Sequence, residues 1–191
     1  MSRPRTDDPP STGPQLSSSA LDLLLIELVP LSFRIVNELA ARGAEEDDEG
    51  VREAVFHRLD AQGYRVGQAL AERFSPSTPR PSSPLDSIKF VCRDLWGAMY
   101  KKQIDNLKTN HRGTFVLTDA RFPPLARMSA DRKLGPRAAE LALTRAQPFL
   151  WFHCGVVRGA LNALGMDVVV NAETQELPIA VFQVRVVGSK P

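Results

Sequence analysis

Residues 86–117, DSIKFVCRDLWGAMYKKQIDNLKTNHRGTFVL, hold the transition from helix to strand that sets the fold. Asp86 follows a Pro/Ser-rich segment and is placed to cap a helix, because a carboxylate accepts the unpaired N–H groups of a first helical turn. Ile88, Val91, Cys92, Leu95, Trp96 and Met99 then recur at helical spacing; Gln103 interrupts the row and Leu107 resumes it. Phe90 and Ile104 lie off that row, so the apolar arc is wide, and a helix of this kind is covered on two sides. Gly97 in its middle costs about 1 kcal/mol relative to alanine, which predicts a second backbone lying close to it. Near residues 110–113 the pattern gives way to a strand at 114–118.

Outward from this stretch the chain changes character several times. Residues 1–18 are rich in Pro, Ser, Thr and Asp and too poor in apolar groups to offset the entropy of ordering, so a disordered tail is expected, followed by a single domain over 19–188. From Ala20 onward Leu21, Leu24, Leu25, Leu28, Leu31, Ile35 and Leu39 form one helical stripe, while Leu23, Ile26, Val29 and Phe33 occupy other sides. A helix apolar nearly all round needs two burial surfaces, and in a chain of 191 residues one of them belongs either to the core or to another protein. Pro30 is expected to kink or split this helix.

The acidic run 45–49 reads as a solvated loop, since no histidine stands near it in sequence. A second helix follows, with Val51, Val55 and Leu59 on one face, then Tyr64, Val66, Leu70 and Phe74; Gly63 and Gly67 predict a break or a close crossing. Residues 75–84 hold four prolines among serines and a threonine and read as a loop.

Beyond the strand at 114–118, residues 122–128 read as a short return strand, which Pro123 and Pro124 would confine to a sheet edge. Residues 131–145 are polar, then alanine-rich, with Gly135-Pro136 as a breaker. Pro148 suits the first turn of a helix carrying Leu150, Cys154, Val157, Leu161 and Leu164 and ending at Gly165. Gly155 and Gly159 in that helix predict tight packing on a sheet. A closing hairpin is expected from strands at 166–170 and 179–187; in the second, Phe182, Val184 and Val186 alternate with Gln183 and Arg185. The fold class is α+β, with about four to five helices on one face of a four-stranded antiparallel sheet.

Composition narrows the function. Hydrophobic content of 43%, charged content of 24% and a net charge of +2 suit a globular protein and not a nucleic-acid binder, which would show a basic face. No window approaches the roughly 18–20 apolar residues of a membrane span. The first residues lack a basic start before an apolar core, so a cytoplasmic location is expected. Cys92 and Cys154 fall on apolar helix faces and read as buried free thiols.

Catalytic machinery is hard to assemble from this chain. His57, His111 and His153 have neither a zinc-protease spacing nor a Cys-x-x-Cys partner. Residues 63–67 lack the Gly-Lys-Ser/Thr ending of a phosphate loop, and no Gly-x-Ser-x-Gly elbow occurs. Lys102 and Asp105 read as a solvated i,i+3 pair. Neither catalytic residue, cofactor nor metal is expected.

The run at 94–119, DLWGAMYKKQIDNLKTNHRGTFVLTD, resembles the signature segment of the small-subunit family of TRAPP, the transport protein particle, and within it the subunit 6 branch. Residues 63–68 (GYRVGQ), 72–74 (ERF), 128–130 (MSA), 154–161 (CGVVRGAL) and 164–165 (LG) agree with it in order. Compared with the family pattern, residues 131–145 look like an insertion. The resemblance implies a non-catalytic subunit that pairs through its first helices with an acylated sister small subunit. It further implies contact with other TRAPP subunits, and indirectly with a Rab GTPase, at Golgi and endoplasmic-reticulum membranes, reached only through the complex. Leu24, Leu25, Leu28, Phe33 and Ile35 are then the candidate partner-interface residues. The sister subunit bears its acylated cysteine just after the segment matching residues 63–74; residues 75–84 here contain none. An alternative from another class is a small-molecule carrier that holds an acyl chain in an apolar pocket between helices and sheet.

Overall fold

The computed structural model describes residues 17–43, 48–74, 81, 83–110, 113–129, 135 and 137–188. Of the expected tail at 1–18, residues 1–16 lie outside the described residues and Ser18 already belongs to a helix; most of the acidic loop, most of the 75–84 loop and the first part of the 131–145 segment lie outside the described residues too. Helix α1 spans Ser18–Gly43 and runs through Pro30 in one piece, so the expected split does not occur. Helix α2 spans Asp48–Phe74, also unbroken, with Asp48 and Glu49 in its first turn, where carboxylates favour the positive end of the helix dipole.

Helix α3 covers Pro84–Phe90. Its cap is Ser83 rather than Asp86: the Ser83 hydroxyl accepts the Asp86 N–H at 3.2 Å and donates to the Asp86 carboxylate at 2.8 Å. Pro84 at the first position lacks the N–H that would otherwise need a partner. A π-helical turn, Val91–Leu95, leads into α4, Trp96–Tyr100.

The helix stops there, well before the expected end near residue 110. Lys101 adopts a left-handed conformation (φ 56°) and reverses the chain. The Ile104 N–H then bonds back to the Cys92 carbonyl in the π turn at 3.0 Å. The freed residues form strand β1, Asn106–Thr109, where the helical spacing through Leu107 predicts helix.

Strand β2 is Thr114–Asp119, β3 is Val168–Glu173 and β4 is Ala180–Val186. They form one antiparallel sheet in the order β1-β2-β4-β3. The expected return strand at 122–128 is instead a pair of tight turns, with the Leu125 and Ala126 N–H groups both bonded to the Phe122 carbonyl. Phe122 and Leu125, three apart, are both fully buried, which is helical spacing and not strand spacing. The hairpin arrives later than expected: Asn171–Glu173 belong to β3 and not to the connection. Helices α5, Arg137–Ala146, and α6, Pro148–Ala163, complete the chain, and Gly165 (φ 84°) ends α6 in the left-handed region.

Phe115 and Leu117, Val168 and Val170, and Ala180, Phe182 and Val184 are buried on one sheet face, whereas Val169, Asn171, Gln183 and Arg185 on the other are exposed. Helix α6 packs on the buried face, α2 on α6, and α1 on α2. The α2–α6 contact is a close parallel crossing. A Cβ at Gly63 would lie 1.9 Å from the Phe152 carbonyl oxygen, and one at Gly67 2.1 Å from that of Val156; Gly155 and Gly159 stand equally close to the carbonyls of Asp60 and Tyr64. The small residues of α6 thus serve helix-on-helix packing and not the expected packing on the sheet. Among the described residues nothing lies within 4 Å of a Cβ at Gly97, so the expected close backbone is not found there.

The two kinds of glycine should respond oppositely to alanine. Gly63→Ala and Gly159→Ala force two backbones apart and are expected to destabilise the protein by at least about 2 kcal/mol. Gly97→Ala sits in an unobstructed helical position and is expected to stabilise by about 0.5–1 kcal/mol. Urea unfolding of the three variants checks both signs.

Candidate functional site

Two regions have the residue types of a site: a polar cluster at the end of α4 and an apolar groove beside α1. In the first, Lys102 is not the solvated partner of Asp105 alone. Its Nζ lies 2.5 Å from Asp119 Oδ1 and 3.2 Å from Asp105 Oδ2. Asp119 is fully buried, and its Oδ2 accepts the Trp96 Nε1–H at 2.9 Å while Oδ1 also accepts the Arg121 N–H at 2.9 Å. Asp105 accepts the Ala120 N–H at 2.7 Å, and this bond, more than Lys102, holds its carboxyl below the usual carboxylate range. Burial works against the Lys102 charge, but the bonds and charges of Asp119 and Asp105 raise its pKa on balance. Both oxygens of Asp119 accept hydrogen bonds from the protein, so the cluster ties α4 to β2.

His153 sits among Phe122, Tyr100 and Phe152 rings at 4.9–6.0 Å. Its Nδ1 donates to the Phe149 carbonyl at 2.9 Å, which leaves Nε2 buried without a partner among the described residues. Burial pushes its pKa down to about 4. Cys92 and Cys154 are each pushed up to about 12, chiefly by burial, so neither offers a thiolate. No group of three or more acidic, histidine or cysteine residues suited to a metal occurs among the described residues, and no described helix is long and apolar enough to cross a membrane.

The second region is an apolar groove of about 450 Å³. Leu21, Leu24, Leu25 and Leu28 of α1 form one wall, Gln62, Val66, Leu70 and Phe74 of α2 the other, and Met99 and Phe152 contribute as well. Helix α1 meets the core through Leu25, Val29, Ser32 and Val36, a narrow row at i, i+4, i+7 and i+11. Its N-terminal end is also pinned by an Arg127–Asp22 ion pair at 2.6 Å. Beside the core row, Leu21, Leu24, Leu28, Leu31, Ile35 and Leu39 share the groove-side flank by helical spacing. Leu24 is 63% exposed and Leu39 59%.

The five candidate interface residues therefore separate. Leu24 points outward, Leu28 is half-buried in the groove wall, and Ile35 is half-buried on the same flank. Leu25, at 7% exposure, belongs to the core of the chain itself. Phe33 is half-buried on the opposite flank, beside Ile26. Val66, Leu70 and Gln62 of α2 were not singled out for the site by the sequence reading. Their i+4 spacing with Phe74 was the available signal.

Two measurements check the polar readings. Lys102→Met leaves the Asp119 carboxylate buried without its cation and is expected to destabilise by about 3 kcal/mol in urea unfolding. His153 binds its proton more weakly folded (about 4) than unfolded (6.5), so the unfolded state holds more protons between these values. Stability should be full above pH 6.5 and fall towards pH 4; at about 1.4 kcal/mol per pH unit the loss is on the order of 3 kcal/mol. His153→Phe should remove this part of the pH dependence.

The sequence and the fold are both similar to those of known proteins. The family model for the transport protein particle (TRAPP) component matches residues 21–187. The chain is 45% identical over 129 residues to trafficking protein particle complex subunit 6b of Danio rerio, covering 68% of this chain and 77% of that one. It is 40% identical over 163 residues to subunit 6A of Homo sapiens, covering 85% and 96%. A crystal structure of trafficking protein particle complex subunit 3 from Naegleria fowleri, covalently bound to palmitic acid, superposes with a TM-score of 0.65 at 14% identity and covers 92% of this chain and 99% of that one, a likeness of fold. With the four-stranded sheet, the one-sided helices and these relatives together, the chain belongs to the TRAPP component family, in its subunit 6 branch.

Proposed function

We propose that this chain is a non-catalytic core subunit of a TRAPP-like tethering and Rab guanine-nucleotide-exchange complex in transport between the endoplasmic reticulum and the Golgi. It stabilises the assembly by pairing, through α1 and the groove-side row of α2, with an acylated sister small subunit of the subunit 3 type. The single observation that carries this reading is the exposed leucine flank of α1 beside an apolar groove. Monomers seldom leave apolar patches beyond a few hundred Å² in water, and the flank continues past the groove through Leu31 and Leu39. Exchange belongs to the assembly, and the chain meets membranes only through the complex.

Acylation falls to the partner. No cysteine follows Phe74 at the place the sister subunit uses, and the two thiols present are held protonated by burial. A second reading is a carrier of a fatty acyl chain; the groove has volume for one, although its lining comes from helices alone and not from the helix–sheet seam expected for a carrier. Native mass spectrometry separates the two: a stoichiometric partner chain supports pairing, and a retained lipid without a partner supports the carrier.

Leu24→Asp is expected to weaken co-purification with the sister subunit by tenfold or more, on the order of one buried leucine, with the thermal midpoint of the free chain nearly unchanged. Leu25→Asp places a carboxylate in the core and is expected to unfold the chain. If both variants merely unfold it, or Leu24→Asp still pairs at full strength, the interface lies elsewhere.

A further inference from the structure

Gln62, Val66, Leu70 and Phe74 line the α2 side of the groove at a spacing of four, and only Gln62 is polar. Its Oε1 is closed to water and accepts no hydrogen bond among the described residues. Buried amide oxygens in native structures nearly always have a donor. Gln62 as a whole is half-buried, so rotation about its broad terminal torsion can present that oxygen to whatever fills the groove. When a helix of another chain covers the groove, the remainder of the amide loses its water too. An unpaired amide at that point weakens association by about tenfold or more, whereas a matched donor removes this loss.

Resting on the pairing reading above, we propose that Gln62 determines which partner the groove accepts. It admits a helix that sets a hydroxyl or amide donor against Oε1, and it discriminates against faces that are apolar throughout. The α1 flank of a second copy of this chain is such a face, because it would enter the groove with Leu21, Leu24, Leu28 and Leu31 and bring no donor to Oε1. One polar side chain in an apolar seam fixes partner and register in coiled coils by the same physics, at some expense in affinity. The row in α2 has this form: three apolar positions that supply contact area and one amide that supplies discrimination.

The test uses the full chain and the sister subunit that co-purifies with it. Calorimetric titration gives the affinity for the sister subunit, and analytical ultracentrifugation gives the self-association constant. Gln62→Met keeps length and removes the amide; Gln62→Leu is carried in parallel, with unfolding midpoints confirming that each variant folds. The ratio of sister binding to self-association should fall at least tenfold in the apolar variants, through weaker sister binding, stronger self-association, or both. Gln62→Glu, which can only accept at neutral pH, should retain most of the ratio because the sister supplies the donor. An unchanged ratio in either folded apolar variant overturns the proposal, as does a Glu variant no better than Met. Leu24→Asp in the same assay separates the two readings. If it leaves sister binding intact, pairing at the groove fails; if it abolishes binding while Gln62→Met changes nothing, pairing stands and the role of Gln62 falls.

Discussion

The contact of two helix backbones at Gly63, Gly67, Gly155 and Gly159 is the constraint on which the other packing depends. With carbonyl oxygens about 2 Å from where a Cβ would stand, α2 and α6 have one relative position, and no rotamer adjustment can create another. The polar rim of the crossing holds the same register. Arg158 pairs with Asp60 and lies over the Tyr64 ring at 4.4 Å, and Tyr64 donates to Asn162 at 2.8 Å. Helix α6 is fixed to the sheet and α1 leans on α2, so the groove between α1 and α2 takes its place from the α2–α6 crossing.

Much of this architecture was legible in the sequence, and the failures have identifiable causes. Alternation in Phe182, Val184 and Val186 and the apolar run after Thr114 mark two strands of the sheet. Strand β1 was hidden because Leu107 happens to continue the helical count from Met99, and the residue that stops the helix is Lys101. A lysine in the left-handed region leaves no signal of the kind glycine gives. The turn at Phe122 was misread because two prolines in an apolar run suit an edge strand as well as a tight turn. Gly63 and Gly67 predict a break or a close crossing, and of these the structure has the crossing; the approaching backbone can be named only by matching their spacing of four to that of Gly155 and Gly159.

The site was harder to read than the fold, for a physical reason. The residues with conspicuous chemistry, Trp96, Lys102, Asp105 and Asp119, are consumed in one another's hydrogen bonds and hold α4 to β2. Residues 23 apart in sequence meet there, and no local pattern announces such a bond. The proposed partner surface is built from leucines that resemble core leucines in every respect except where α1 turns them. Helical spacing gave the stripe from Leu21 to Leu39 but could not tell that Leu25 belongs inside and Leu24 outside, 100° further round the helix.

The layering from sheet through α6 and α2 to α1 makes the molecule two-faced along one axis. Its groove opens on the helical side, and the exposed Val169, Asn171, Gln183 and Arg185 lie across the full thickness of the domain on the other. A chain seated in the groove therefore adds to the particle away from the β surface and leaves that surface clear. Such a subunit has a front and a back, so a particle built from it gains a direction at the first joining step, before any further component is added.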